Sequence, residues 1–341
     1  YYFMIVMALV GLFLTETTMI YQKRKYTELT IDRFGDMVLA SISILSFCLI
    51  LIYGKTFDWF NSFYIRAAFA TFIMSFGAFF LIQVHIFTLR NVVIALFIFT
   101  IGMALNSSSV LVNLFVGISM KTDAWQNNLL NNYIFIGYLT GTIVSVIMVM
   151  LNFHLKYIFS VGLLFITIAA GYLYFQYQSM GVYDNMIFPI IIRSAGMFII
   201  YAMATVLGMR KLDVRYFGSW ILLMLLFRSV LAPVAGSSLY ANAINQKQQR
   251  YIESISKNID MTNTEISGTF SQTMRGAMMQ GKSYEDAQKI ASMSVKGNVQ
   301  VQATLAALEN VTGWTIYGGI FCTVLVLFLP YKHKKTKKVQ T

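Results

Sequence analysis

The sequence predicts an all-α, polytopic membrane protein of about nine transmembrane helices, each near the length that crosses about 30 Å of hydrocarbon. Three observations carry that expectation. Hydrophobic residues make up 57% of the 341-residue chain and charged residues only 12%, whereas a soluble domain carries about 25% charge. Mean hydropathy is +0.64. Apolar runs of roughly 20 residues recur between polar breaks, and they lack the alternation of the 9 to 11 residue strands that build a barrel.

Taken in order, the expected spans are 1 to 20, 34 to 53, 63 to 84, 91 to 117, 129 to 151, 156 to 176, 187 to 208, 216 to 243 and 311 to 330. The chain opens at Tyr1 inside an apolar stretch, with no basic leader and no small-residue cleavage site. That start predicts a fragment whose N-terminal part precedes Tyr1. Lys and Arg concentrate on alternate sides. One side holds Lys23, Arg24, Lys25, Arg33, Arg90, Lys156, Arg210, Lys211, Arg215 and the five lysines from Lys332 to Lys338. Short loops on the other side hold Lys55 and Lys121, with Arg66 just inside the next helix. Cytoplasmic loops retain positive charge, so the C-terminal tail is expected in the cytoplasm. The net charge of +12 follows largely from this asymmetry and from contact with anionic lipid headgroups, not from a nucleic-acid partner.

Residues 244 to 310 break the apolar pattern, and the same parity places them outside the membrane. Within them Ser283, Glu285 and Asp286 form a helix-start signature, since a hydroxyl caps free amides and acids complement the helix dipole. Ala287, Ile290, Ala291, Val295 and Val299 then recur at amphipathic spacing. This segment is either a partner-binding or cavity-covering element or a solvated linker.

Ionisable groups inside hydrocarbon are costly and mark candidate sites. Arg193 and Arg228 are placed about 8 and 12 residues into their spans, roughly 12 and 18 Å deep at 1.5 Å per residue. Each would contact substrate or a carboxylate of another helix; the structural alternative is bonding to backbone carbonyls. Asn106, Ser109 and Asn113 share one face of the fourth span at spacings of three and four. Such a stripe lines an aqueous path or serves as interhelical glue. Glu16 falls near the cytoplasmic interface, and Arg66 snorkels at a helix end. Gly137 with Gly141, and Ala232 with Gly236, are pairs of small residues that permit close helix approach. Cys48 and Cys322 are expected as packing residues. His85, His154 and His333 are scattered over turns and the tail, so no metal site is expected. No nucleotide-binding glycine loop, zinc-protease motif or nucleophile elbow occurs, which argues against an enzyme and against an ATP-driven pump. No cofactor is expected.

Several stretches carry a family resemblance. The basic loop from Lys23 to Arg33 leads into the second span, followed by Tyr53-Gly54-Lys55 and Asp58-Trp59-Phe60-Asn61-Ser62. Later comes Arg228-Ser229-Val230-Leu231-Ala232-Pro233-Val234-Ala235-Gly236-Ser237-Ser238, and then the long external segment with Gly281, Ala287 and residues 300 to 307. Their order resembles the C-terminal portion of the fourteen-helix drug:proton antiporters of the major facilitator superfamily, the EmrB/QacA type. The resemblance implies that 1–20 is the last helix of an N-terminal bundle and that 21–84 holds a basic loop and two extra linking helices. It further implies a six-helix bundle over 91–330 with an extracytoplasmic loop at 244–310, and a basic cytoplasmic tail at 331–341. The implied function is proton-driven efflux of amphipathic or lipophilic small molecules across the inner membrane. Arg193, Arg228, Asn106 and Asn113 are the substrate or coupling candidates. The implied partners are cargo, membrane lipid and a periplasmic adaptor protein. The family's antiporter motif and first-helix acid would precede Tyr1, and the 152–156 turn lacks the Gly and Asp-Arg pattern, so the proton-coupling residue has no assignment. Carriage of a specific metabolite, peptide or lipid is the nearest alternative, and a non-transporting module that binds a partner through its external loop is another.

Overall fold

The computed structural model describes residues 31–54, 56–82, 89–119, 124–178, 183–210, 212, 217–228, 232–257 and 264–328. Every regular element among them is helical. We number them α1 (Ile31–Tyr53), α2 (Phe63–Ile82), α3 (Arg90–Asn106), α4 (Ser109–Ser119), α5 (Ala124–Met150) and α6 (Leu155–Gln178). There follow α7 (Ile187–Met209), α8 (Phe217–Leu226), α9 (Ala232–Lys257), α10 (Thr264–Met279) and α11 (Tyr284–Phe328).

Six stretches among the described residues are long and apolar enough to cross a membrane: Phe63–Ile82, Arg90–Ile118, Leu129–Met150, Leu155–Tyr177, Asp184–Met209 and part of Tyr284–Phe328. A shorter apolar helix, Val38–Tyr53, precedes them. The exterior matches lipid better than water. Phe135, Leu151, Phe175, Phe321 and Phe328 each leave more than half of their surface exposed, where a soluble fold would bury such side chains. The expected span at 1 to 20, Glu16, His85 and His333 lie outside the described residues.

Three expected spans differ in form. The fourth is two helices, because the chain turns at Ser107 and Ser108 between α3 and α4. The eighth, drawn at 216 to 243, contains α8, a π-turn at Phe227 and Arg228, and the start of α9. The ninth is the C-terminal part of α11, a single helix of 45 residues, about 67 Å long at 1.5 Å per residue. Thus the amphipathic stretch after Ser283 does not form a separate element; it runs unbroken into the last span. Ser283 is its cap, accepting from the Asp286 amide at 3.2 Å and donating to the Asp286 carboxylate at 2.8 Å. Gly281, at φ +80°, turns the chain from α10 into that cap, a conformation that costs glycine least. α9 likewise continues to Lys257 with a polar C-terminal half, tied to α11 by Gln248 donating to Thr304 at 2.7 Å.

α7 is the hub, with α3, α5 and α6 packed around it. Glycines allow that crowding. A Cβ on Gly137 would stand 2.6 Å from the Ile191 carbonyl, and one on Gly141 2.6 Å from the Ala195 carbonyl. On the opposite side, a Cβ on Gly162 would meet the Gly196 carbonyl at 3.0 Å. The small residues of 194 to 196 therefore lie between α5 and α6. Gly236 of α9 abuts the Ser107 side chain. Both expected small-residue pairs thus contribute packing through a glycine. Cys48 is buried and Cys322 half-buried, and both are free thiols.

Candidate functional site

Two apolar clusters form among the described residues, and the division between them places the site. One contains Leu105 of α3, Ile166 of α6, Met197 of α7 and Val326 of α11. The other contains Leu111 of α4, Leu173 of α6, Ile190 of α7 and Val311 of α11. Along each of these helices, buried polar side chains fall between the two clusters. They include Ser107 and Ser108 at the α3–α4 turn, Thr167 on α6, Arg193 and Ser194 on α7, and Thr312 and Thr315 on α11. A polar layer therefore crosses the bundle between two apolar halves.

The hydroxyls of this layer are satisfied near home. Ser107 donates to the Met103 carbonyl at 3.0 Å, Thr167 to Leu163 at 2.8 Å, Ser194 to Ile190 at 2.7 Å and Thr312 to Leu308 at 2.7 Å. These are bonds to the preceding turn of the same helix, which any buried Ser or Thr in a helix can make. Thr315 is additionally bonded to the Tyr240 hydroxyl of α9 at 3.0 Å. None of them calls for a ligand.

Arg193 is different. It is 6% exposed, and its Nε and Nη1 have no hydrogen-bond partner among the described residues. The side chain lies close enough to Tyr177 of α6 and Tyr138 of α5 for electrostatic contact. The Tyr177 hydroxyl, also buried, approaches Thr312 and Arg193 without a well-formed hydrogen bond. A third buried group, Oδ1 of Asn310 on α11, is likewise unpartnered among the described residues. Buried polar groups in native proteins nearly always find partners, and an arginine at the centre of a membrane helix costs about 2.5–3.5 kcal/mol on insertion scales. Unsatisfied donors beside an unsatisfied tyrosine mark a place where an acceptor would bind strongly.

Both arginines lie against tyrosines where the sequence suggested a carboxylate or cargo. Arg228, half-buried in the π-turn after α8, has its guanidinium carbon 4.5 Å from the ring centroid of Tyr201 on α7. Its neighbour is an aromatic face. Tyr201 in turn lies 5.8 Å from the Phe99 ring of α3. Asn106 ends α3 half-buried, and Asn113 lies exposed on α4. The Ser107–Ser108 turn interrupts the single helical face expected to align them. His154 follows α5, Arg66 lies in the first turn of α2, and no group of three metal-ligating side chains forms among the described residues.

Tyr177 and Tyr201 escape a sequence reading because a tyrosine in an apolar run does not stand out as a charged residue does. Glu309 escapes for another reason. It sits on α11 just before the expected span, and the Tyr174 hydroxyl hydrogen-bonds it. Only the continuity of α11 could have shown that this carboxylate faces a neighbouring helix.

At the end of the bundle where α5 stops and α6 starts, a recess of about 950 Å³ opens between α5, α6 and α7. Thr142, Ser145, Phe198 and Ala202 line it, with exposed His154 and Arg210 at its rim. Its volume suits a small organic molecule. The two arginines and this recess all border α7, which makes that helix the common element of the candidate site. No protein-family model matches the chain, and no curated protein matches it.

Proposed function

We propose that the protein is a secondary active transporter that exports amphipathic or lipophilic small molecules in exchange for protons. The observation that carries this reading is Arg193, a buried cation with donors unpaired among the described residues, set in a polar layer through an otherwise apolar helical bundle. A purely structural arginine would hold its donors on carbonyls or carboxylates. A carrier instead needs a group that is left waiting in one state and paired in another, by cargo or by a carboxylate. The recess beside α7 has a volume that suits such cargo.

In this reading the chain resembles the drug:proton antiporters named above, works in the inner membrane and has its C-terminal tail in the cytoplasm. Arg193 pairs with cargo or with a coupling carboxylate, Arg228 supports α7 from the side, and Asn106 and Asn113 offer cargo polar contacts on α3 and α4. Carriage of one specific metabolite, peptide or lipid fits the same geometry.

The test is substrate accumulation in cells carrying the full-length protein, with and without a protonophore, for wild type, Arg193→Ala and Arg228→Ala at matched membrane levels. Lower accumulation that the protonophore abolishes and Arg193→Ala removes is the expected result. Unchanged accumulation across lipophilic cations, anions and neutral compounds would overturn it.

One observation favours a second role alongside or instead of transport. The projection formed by α10 and the first half of α11 exposes Met278, Met279, Tyr284, Ile290 and Met293, an adaptable apolar surface of the kind that suits protein partners. A periplasmic adaptor protein is the partner proposed there. Adaptor capture that survives deletion of residues 258–293, which removes all five side chains, would count against it.

A further inference from the structure

A second cavity, of about 280 Å³, lies at the seam between the α1–α2 hairpin and the end of α8. It is separate from the polar layer and from the recess beside α7. Five phenylalanines form much of its wall: Phe47 from α1, Phe72, Phe76 and Phe79 from α2, and Phe227 from the π-turn after α8. Ser43 is the sole described lining residue with a polar side chain.

The cavity is half open, with Phe76 exposed at its edge, and its apolar walls gain dispersion contacts only when an apolar guest fills it. Water is a poor filler, because a buried water needs two to four polar partners and the wall is almost wholly apolar. The ring geometry selects further. Phe47 and Phe72 stand 5.2 Å apart with a 35° tilt, and Phe72 and Phe76 5.5 Å apart and stacked at 23°. Walls of this kind offer both ring faces and ring edges, to which a flat π-system adds at centroid distances of about 4.5–7 Å. An alkyl chain gains only area. A cavity of about 150 Å³ holds benzene, so one of 280 Å³ accommodates two fused rings.

From this cavity we infer that the hairpin seam is a binding site for a small, uncharged, two-ring aromatic molecule, held by ring contacts. Phe227 borders the ligand while its neighbour Arg228 rests on Tyr201. Occupancy therefore bears on the π-turn that joins the hairpin side of the molecule to α7. The inference does not depend on transport.

The experiment is photolabelling of the full chain in lipid nanodiscs with a naphthyl diazirine and, in parallel, an alkyl diazirine of equal lipid partitioning, with adducts mapped by peptide mass. Naphthyl adducts should concentrate between Phe72 and Phe79 and be lost on adding excess unlabelled naphthalenemethanol, while adducts at lipid-facing Phe135 and Phe175 persist. Ala40→Phe, which fills the cavity from α1, should abolish the competed fraction without changing the lipid-facing adducts. Ser43→Leu provides the same test if that variant fails to fold, and the competition on wild type needs no variant. Uncompetable adducts spread evenly over lipid-facing positions would overturn the inference. Equal labelling of the seam by the alkyl probe would also overturn it, by identifying the occupant as a lipid chain.

Discussion

Arg193 and Arg228 are alike in sequence, each a lone cation in a long apolar run, yet they occupy opposite kinds of place. Arg193 sits within a continuous helix whose neighbours are held by glycine contacts, is 6% exposed and keeps two nitrogens unpaired among the described residues. Arg228 sits in a π-turn, half-buried, with a tyrosine face 4.5 Å away. A rigid seat can hold an unsatisfied group because the surrounding packing over-determines it. A loosened turn cannot, and its arginine has settled on the nearest π-surface. On the proposed function, the comparison separates a group poised to act from one that braces, and each prediction below tests one side of it.

The largest effect is expected at Arg193→Leu. Removing a buried, incompletely paired charge in favour of a well-packed apolar side chain is neutral or stabilising by about 1–4 kcal/mol. The variant should therefore melt at the same temperature as wild type or higher, by thermal unfolding in detergent, while transport is lost. A stability loss of about 3–5 kcal/mol would instead identify a paired structural arginine and erase the contrast with Arg228.

The seat itself is tested next. A side chain at Gly141 would press on the backbone of Ala195, which follows Arg193 by two residues, and overpacking of this kind costs about 1–3 kcal/mol. Gly141→Val should lower the melting temperature accordingly and displace α7 as a unit. If it is silent, α7 is not held as tightly as the contrast requires.

Much of this was legible in the sequence. Apolar length alone marks the membrane-crossing stretches, and Ser283 marks the start of α11 because a cap is a local device. What fails to show is the joining and breaking of helices. Residues 284 to 310, ahead of the last expected span, read as a separate external element when hydropathy is the only guide. No proline interrupts them, so nothing in the backbone stops the helix, and α11 passes through as one rod. The Ser107–Ser108 turn is hidden for the opposite reason, since serines are tolerated inside apolar helices and nothing local distinguishes a turn from a polar stripe. Arg193 and Arg228 are visible as costly residues, but their surroundings are not, because Tyr177 and Tyr201 meet them only through tertiary packing.

A smaller effect is expected on the bracing side. Contacts between a guanidinium and an aromatic ring contribute about 0.5–1 kcal/mol at exposed sites and about 2 when desolvated, so half-buried Arg228 should fall between. A double-mutant cycle with Arg228→Gln and Tyr201→Leu, read by thermal or denaturant unfolding, should return a coupling energy in that range. Transport should fall only in proportion to the loss of folded protein. Complete loss of transport in folded Arg228→Gln would move Arg228 to the acting side of the comparison.

The smallest effect on stability is expected at Tyr177→Phe, and it bears on why Arg193 is left unpaired. The Tyr177 hydroxyl is buried and makes no well-formed hydrogen bond among the described residues, so its removal sacrifices no partner and relieves a desolvated polar group. Net hydrogen-bond contributions are about 0.5–1.5 kcal/mol, while an unsatisfied buried group costs about 1–3 kcal/mol. The ring keeps its place 4.7 Å from Phe115, because the substitution leaves the packing surface unchanged. Unfolding should therefore be unaltered or slightly delayed. If the hydroxyl helps Arg193 receive an acceptor during transport, the variant should weaken apparent affinity for cargo while the folded fraction stays constant. A clear loss of stability would mean that the hydroxyl is satisfied in the membrane, and that Arg193 and Tyr177 form a structural pair.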